Sequence, residues 1–116
     1  MPDRSSERPA GGRGPGRAVR AAETPEMRRL RRRIDALDRR IVTLLNERAS
    51  LALEVGRAKL AAGRRTVRDV EREREVLMRV ALANAGPLAQ ADLLALYRRL
   101  MAATRELEAR DRPPAE

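Results

Sequence analysis

A proline-free stretch from about residue 26 to residue 62 carries Leu30, Ile34, Leu37, Ile41, Leu44, Leu51 and Val55 at alternating steps of four and three, with one seat skipped. Such a heptad stripe specifies one long helix whose apolar seam must meet another surface. A helix of about 37 residues would span roughly 55 Å, more than two shorter helices of a small domain can cover. The expected cover is a second copy of the chain.

The remaining sequence supplies those two shorter helices. After a break at Gly63-Arg64-Arg65-Thr66, Asp69 is placed to cap a second helix over about 70–84, with Val76, Leu77 and Val80 inward. Gly86-Pro87 ends it. A third helix over about 89–110 is expected to bury Leu93, Leu96, Leu100 and Leu107 before Pro113 and Pro114 close the chain. The predicted fold class is all-α, with three helices per chain (long, short, medium) in an intertwined homodimeric bundle formed by residues 26–112. Residues 1–25 hold Pro2, Pro9, Pro15 and Pro25 among Arg, Gly, Ser and Ala, and read as a flexible leader, with Met27 available as an alternative start.

Composition narrows the chemistry. Cysteine and histidine are both absent, which removes thiol nucleophiles, disulfides, imidazole bases and the usual zinc ligand sets. Tyr97 is the single aromatic residue, so a monomeric globule would have little bulk for its core. The formal charge of +9 invites a nucleic-acid partner, but the arginines are interleaved with Glu and Asp through the helical part instead of forming a basic block. That balance suits an anionic ligand of any size. No apolar run approaches the roughly 18 residues of a membrane span, and no apolar signal region is present at the N-terminus. The expectation is a soluble, cytoplasmic protein with no membrane or nucleic-acid partner.

Several residues do not fit a plain bundle. The skipped seat of the stripe is Arg48, where Leu44 plus four and Leu51 minus three both call for an apolar side chain. Arg48 either snorkels out of the seam and fixes register, or marks a buried anion site. Lys59, eleven residues on, projects from nearly the same face about 16 Å along the axis; taken alone it also suits a helix end, where a cation complements the dipole. Gly56 interrupts the helix at up to about 1 kcal/mol relative to alanine, which points to tight packing or close approach to the backbone. Asp69, Arg72 and Glu73 share one side of the second helix's first turn, as capping and dipole compensation would also select. Thr104 and Glu108 lie one turn apart on the third helix, Thr104 in line with the inward leucines. Glu108 alone would equally be a surface carboxylate near a helix end.

The segments Leu30-Arg-Arg-Arg-Ile-Asp-Ala-Leu-Asp38, Leu44-Leu-Asn-Glu-Arg48, Val55-Gly-Arg-Ala-Lys59 and Val67-Arg-Asp-Val-Glu-Arg-Glu73, taken in order, resemble the all-helical chorismate mutase family over most of residues 27–110. The resemblance implies a cofactor-free, metal-free isomerase of the shikimate pathway and aromatic amino acid biosynthesis. It implies that Arg48 and Arg31 hold the two carboxylates of a chorismate-like substrate, that Lys59 and Glu108 address its ether oxygen, and that Glu73 and Asp69 serve the hydroxyl region. Arg72 and Thr104 would complete the pocket. Arg31 and Arg48 are about 25 Å apart along one straight helix and on faces roughly 100° apart. If both serve one ligand, Arg31 must come from the partner subunit of a two-fold dimer, as in the family arrangement.

The implied reaction, chorismate to prephenate, is a unimolecular pericyclic rearrangement that needs neither nucleophile nor proton shuttle, so the missing His and Cys are no handicap. The protein's part is to restrain a compact conformer by its carboxylates and to aim donors at the ether oxygen where negative charge grows. Two departures from the family pattern stand out. The Gly63 to Thr66 connection has one extra residue, and position 108 carries Glu, where members have Gln or Glu. A carboxyl donates to an ether oxygen only when protonated. On the same scaffold, a 4-amino-4-deoxychorismate mutase and an isochorismate pyruvate-lyase are the neighbouring alternatives. From another class, a basic coiled-coil module binding nucleic acid or protein would use Arg48 only for register.

Overall fold

The computed structural model describes residues 22–64 and 68–113. The leader expected over 1–25 falls almost wholly outside them, as do Thr66, Val67 and Pro114. Three helices follow in order: α1 (Pro25–Ala61), α2 (Val70–Ala83) and α3 (Gln90–Asp111). These are the long, short and medium helices expected, with ends within one residue of the predicted ones. The described residues contain no strand. They group into two units, one ending at Thr43 and one beginning at Leu44, so that α1 contributes to both.

In the first unit, Thr24 starts α1. Its Oγ1 accepts from the Met27 N–H at 3.1 Å and its carbonyl accepts from the Arg28 N–H at 3.0 Å. Pro25 takes the first helical position, where a missing N–H costs nothing. The apolar seats Leu30, Ile34, Leu37 and Ile41 are 43–54% exposed, far above what such residues show in a core.

The second unit begins on the same helix and ends it at a glycine. Gly63, at φ +83°, donates to the Leu60 carbonyl at 2.9 Å, and Arg64 donates to the Lys59 carbonyl at 2.8 Å. These paired bonds form a Schellman termination, which requires the left-handed conformation that glycine adopts without strain. Asp69 caps α2 as expected, its Oδ1 accepting from the Arg72 N–H at 3.0 Å. Asn84 organises the turn into α3: its side-chain amide donates to the Leu88 carbonyl at 3.1 Å and to Gln90 Oε1 at 2.9 Å, while its Oδ1 accepts from the Gly86 N–H at 2.9 Å. Helices α2 and α3 pack on each other, with Val76, Leu77, Val80, Leu93, Leu100 and Leu107 half-buried.

Leu96 departs from expectation and is 61% exposed. The inward face of α3 is centred on Met101, at 6% exposure the one buried side chain among the described residues. Leu96 lies five residues before it, about 140° around the helix. Tyr97, Thr104 and Glu108 are half-buried around Met101, as Leu93, Leu100 and Leu107 are. Seats Leu44, Leu51 and Val55 of α1 are also open, at 53–61% exposure.

Candidate active site

The C-terminal part of α1, the first turn of α2 and the last turns of α3 enclose a cavity of about 320 Å³ within the second unit. Its volume suits a small organic ligand. The wall combines the apolar side chains of Leu51, Ala52, Val55 and Met101 with four cationic groups, Arg48, Lys59, Arg72 and Arg105, and three acidic ones, Asp69, Glu73 and Glu108; Thr104 completes it. Seven residues singled out in the sequence (Arg48, Lys59, Asp69, Arg72, Glu73, Thr104 and Glu108) thus share one cavity.

The skipped heptad seat puts Arg48 on this wall. Its guanidinium carbon stands 5.9 Å from the centre of the Tyr97 ring, close enough for a cation–π contact that orients the group without neutralising it. Among the described residues no carboxylate lies within ion-pair distance of Arg48, so its donors remain for an anion. Three turns on, Lys59 stands just before the Schellman termination, which takes its carbonyl and leaves its side chain facing the cavity. Its Nζ is 3.9 Å from Asp69 Oδ2, a loose pair that a better acceptor can displace.

The capping of α2 fixes the opposite wall. The N–H bond from Arg72 holds Asp69 in place, and the Arg72 guanidinium reaches Glu75 Oε1 at 2.8 Å on the exposed side. Glu73 is gripped at both oxygens: Arg105 NH1 donates to Oε2 at 2.5 Å, and Arg68 Nε is 3.4 Å from Oε1. From α3, the Thr104 hydroxyl donates to the Leu100 carbonyl at 2.9 Å, which directs its lone pairs away from the helix and leaves it an acceptor toward the cavity.

Glu108 lies against Gly56, whose hypothetical Cβ would be 3.6 Å from Glu108 Oε2. The glycine of α1 therefore marks a close approach of a side chain to the helix backbone, at ordinary contact distance. Withdrawal from water pushes the Glu108 carboxyl above the usual carboxylate range; Glu73 adds to this, while Lys59, Arg112 and Arg48 oppose it. A proton is thereby retained to higher pH, and the protonated acid can donate a hydrogen bond. One turn beyond, Asp111 receives a two-pronged bond from Arg57 at 3.0 and 2.9 Å, which ties the end of α3 to α1. The bond to Arg57 holds the Asp111 carboxyl below the ordinary range and lifts the guanidinium further.

Arg31 is the one predicted site residue that does not line this cavity. It belongs to the first unit, where its Nε stands 2.8 Å from Glu23 Oε2. Three lining residues escaped the sequence reading, Ala52, Met101 and Arg105. Met101 and Arg105 were accessible from spacing, since Tyr97, Met101, Arg105 and Glu108 recur at four, four and three.

The arrangement combines a guanidinium with no carboxylate partner among the described residues, a lightly held ammonium and a protonatable carboxyl, a set whose chemistry suits an anion. Among the described residues no cluster of three or more metal-ligating side chains occurs, and no helix is long and apolar enough to cross a membrane.

Comparison with known proteins agrees with the residues. The bifunctional chorismate mutase/prephenate dehydratase of Stutzerimonas stutzeri is 38% identical over 91 residues, covering 75% of this chain and 25% of that protein. The protein of the same description from Escherichia coli K12 is 53% identical over 51 residues, 44% of this chain and 13% of its own. The chain thus spans a quarter or less of the curated relatives it matches. A solved structure of chorismate mutase (form II) from Thermus thermophilus superposes with a TM-score of 0.71 at 31% identity, covering 76% of this chain and 99% of that one. The profile of the family described as chorismate mutase type II matches residues 30–109, a span that contains all three helices but their ends and every residue of the cavity, and the chain belongs to that family.

Proposed function

We propose that the protein is a chorismate mutase that rearranges chorismate to prephenate in this cavity, as an intertwined homodimer formed by residues 26–112. The observation that carries the reading is Arg48, a guanidinium on an apolar heptad seam that faces a cavity of ligand size without a carboxylate partner among the described residues.

Arg48 receives one carboxylate of the substrate and Arg31 of the partner subunit the other, folding the side chain over the ring so that the carbon–carbon bond can form as the ether carbon–oxygen bond breaks. No proton changes hands and no electron carrier is needed. Lys59 and the protonated Glu108 donate to the ether oxygen, where negative charge develops in the transition state. Asp69 and Glu73, with Arg72 and Thr104 beside them, surround the ring hydroxyl. Holding one reactive conformer and stabilising one oxygen are sufficient for a unimolecular reaction.

The dimer is supported by the exposed apolar seats from Leu30 to Val55, an apolar stripe interrupted at Arg48 and longer than a soluble monomer ordinarily leaves open. A two-fold axis through that seam would give two equivalent sites, each with an Arg31 from the other chain. The substrate is a metabolite of aromatic amino acid biosynthesis, and the cytoplasm is the compartment that fits it.

The test is the loss of chorismate absorbance with purified protein, with prephenate identified by its acid conversion to phenylpyruvate. Turnover is expected, and Arg48→Ala is expected to reduce it by about 10²–10³-fold, in line with removal of a transition-state donor. A folded dimer that leaves chorismate untouched overturns the proposal.

A further inference from the structure

The cavity wall carries four cationic and three acidic side chains, and of the acidic ones Asp69 and Glu73 are already engaged. Glu73 has both carboxylate oxygens taken, by Arg105 at 2.5 Å and Arg68 at 3.4 Å. Asp69 accepts the Arg72 N–H at 3.0 Å through one oxygen and faces Lys59 at 3.9 Å through the other. Of the four cations on the wall, Lys59 and Arg105 are the partners of these acids, Arg72 pairs with Glu75, and Arg48 has no carboxylate partner among the described residues. A ligand entering with two carboxylates meets complementary charge, whereas one that also carries an ammonium finds Asp69 and Glu73, the carboxylates at the start of α2, already engaged.

Arg105 is the decisive member. Its side chain is 28% exposed and that of Glu73 is 17% exposed, so their attraction is less screened than that of a surface pair. Arg68, the other partner of Glu73, is 58% exposed and can neutralise the carboxylate only weakly. Without Arg105, the Oε2 side of Glu73 would face the cavity as an unpaired carboxylate, attractive to an ammonium and repulsive to a dianion.

Resting on the proposed mutase reading, we propose that Arg105 is a specificity-determining residue: by holding Glu73 it admits a dicarboxylate with a neutral hydroxyl and excludes the analogue in which an ammonium replaces that hydroxyl. Sequence places three candidate substrates on this scaffold, and this ion pair selects between two of them, chorismate and 4-amino-4-deoxychorismate. Selectivity of this kind comes from the unpaired charge that the disfavoured ligand would bury.

The experiment compares kcat/KM for chorismate and for 4-amino-4-deoxychorismate in the wild-type protein, Arg105→Met and Arg105→Lys. The wild type is expected to favour chorismate. Arg105→Met should move the ratio toward the amino substrate on the order of tenfold or more, mainly through KM; Arg105→Lys should largely restore the original preference. Adding Glu73→Gln to Arg105→Met should cancel the shift, which a merely structural role for Arg105 would not produce. Arg105→Gln provides a second uncharged variant if Arg105→Met fails to fold. Chorismate turnover with a ratio unmoved by loss of the Arg105 charge overturns this inference alone. A wild type that prefers the amino substrate also overturns it. Turnover of neither substrate overturns the proposed mutase function and this inference with it.

Discussion

The two stretches of α1 share one periodicity and put it to different uses. From Leu30 to Ile41 each heptad seat is apolar, and the side chains stand 43–54% exposed. From Arg48 to Lys59 the same face carries a guanidinium and an ammonium, and α2 and α3 close round it to form a cavity. Period determines which face of a helix turns inward; side-chain chemistry determines what that face meets. A seam made of hydrocarbon calls for another seam, whereas a cation on the seam calls for an anion.

The contrast is broken most severely by making the first stretch resemble the second. Ile34→Glu combined with Leu37→Glu places two carboxylates on the apolar stretch, where burial without partners costs several kcal/mol each. Sedimentation is expected to change from dimer to monomer, and chorismate turnover to disappear with it although the residues of the cavity are untouched. An active monomer would show that α1 needs no partner.

A smaller effect sharpens the second stretch. Glu108 is raised by burial, so its donating, protonated form prevails below the elevated pKa and is lost above it. Turnover should therefore fall as pH rises through that value, and Glu108→Gln, which donates at any pH, should flatten the profile. A wild-type rate independent of pH from acid to mildly basic conditions would remove Glu108 from the role of donor.

The smallest effect is expected at Gly56. A methyl group there meets Glu108 Oε2 at 3.6 Å, an ordinary contact, while alanine improves helix propensity by up to about 1 kcal/mol. Gly56→Ala should raise the thermal midpoint slightly and leave turnover within a few-fold of wild type. A large loss of activity would mean that the backbone at Gly56, and not only Glu108, faces the ligand.

Much of this was legible in the chain. The heptad steps gave α1, Asp69 gave the start of α2, and Gly63 gave the end of α1, because each is a local device whose geometry depends on nearby residues. Arg48 was legible as an anomaly, an arginine where hydrocarbon belongs. The inward face of α3 was legible only in part. Leu93, Leu100 and Leu107 are half-buried as the leucine pattern expects, but the most buried residue is Met101, and Leu96 is left outside. Where a helix carries apolar residues on two faces, the choice between them depends on the shape of its neighbours, which local pattern does not contain. Arg105 was hidden for the same reason, since its importance lies in reaching Glu73 from another helix.

The central claim is that one site takes Arg48 from one chain and Arg31 from the other, and subunit mixing tests it most directly. Arg31→Ala and Arg48→Ala chains, each inactive alone, are co-expressed with different tags, and the heterodimer carrying both is purified and assayed for chorismate loss. One site of that heterodimer would keep both arginines and the other neither, so about half of wild-type turnover per dimer is expected. A heterodimer as inactive as its parents would contradict a site shared between chains.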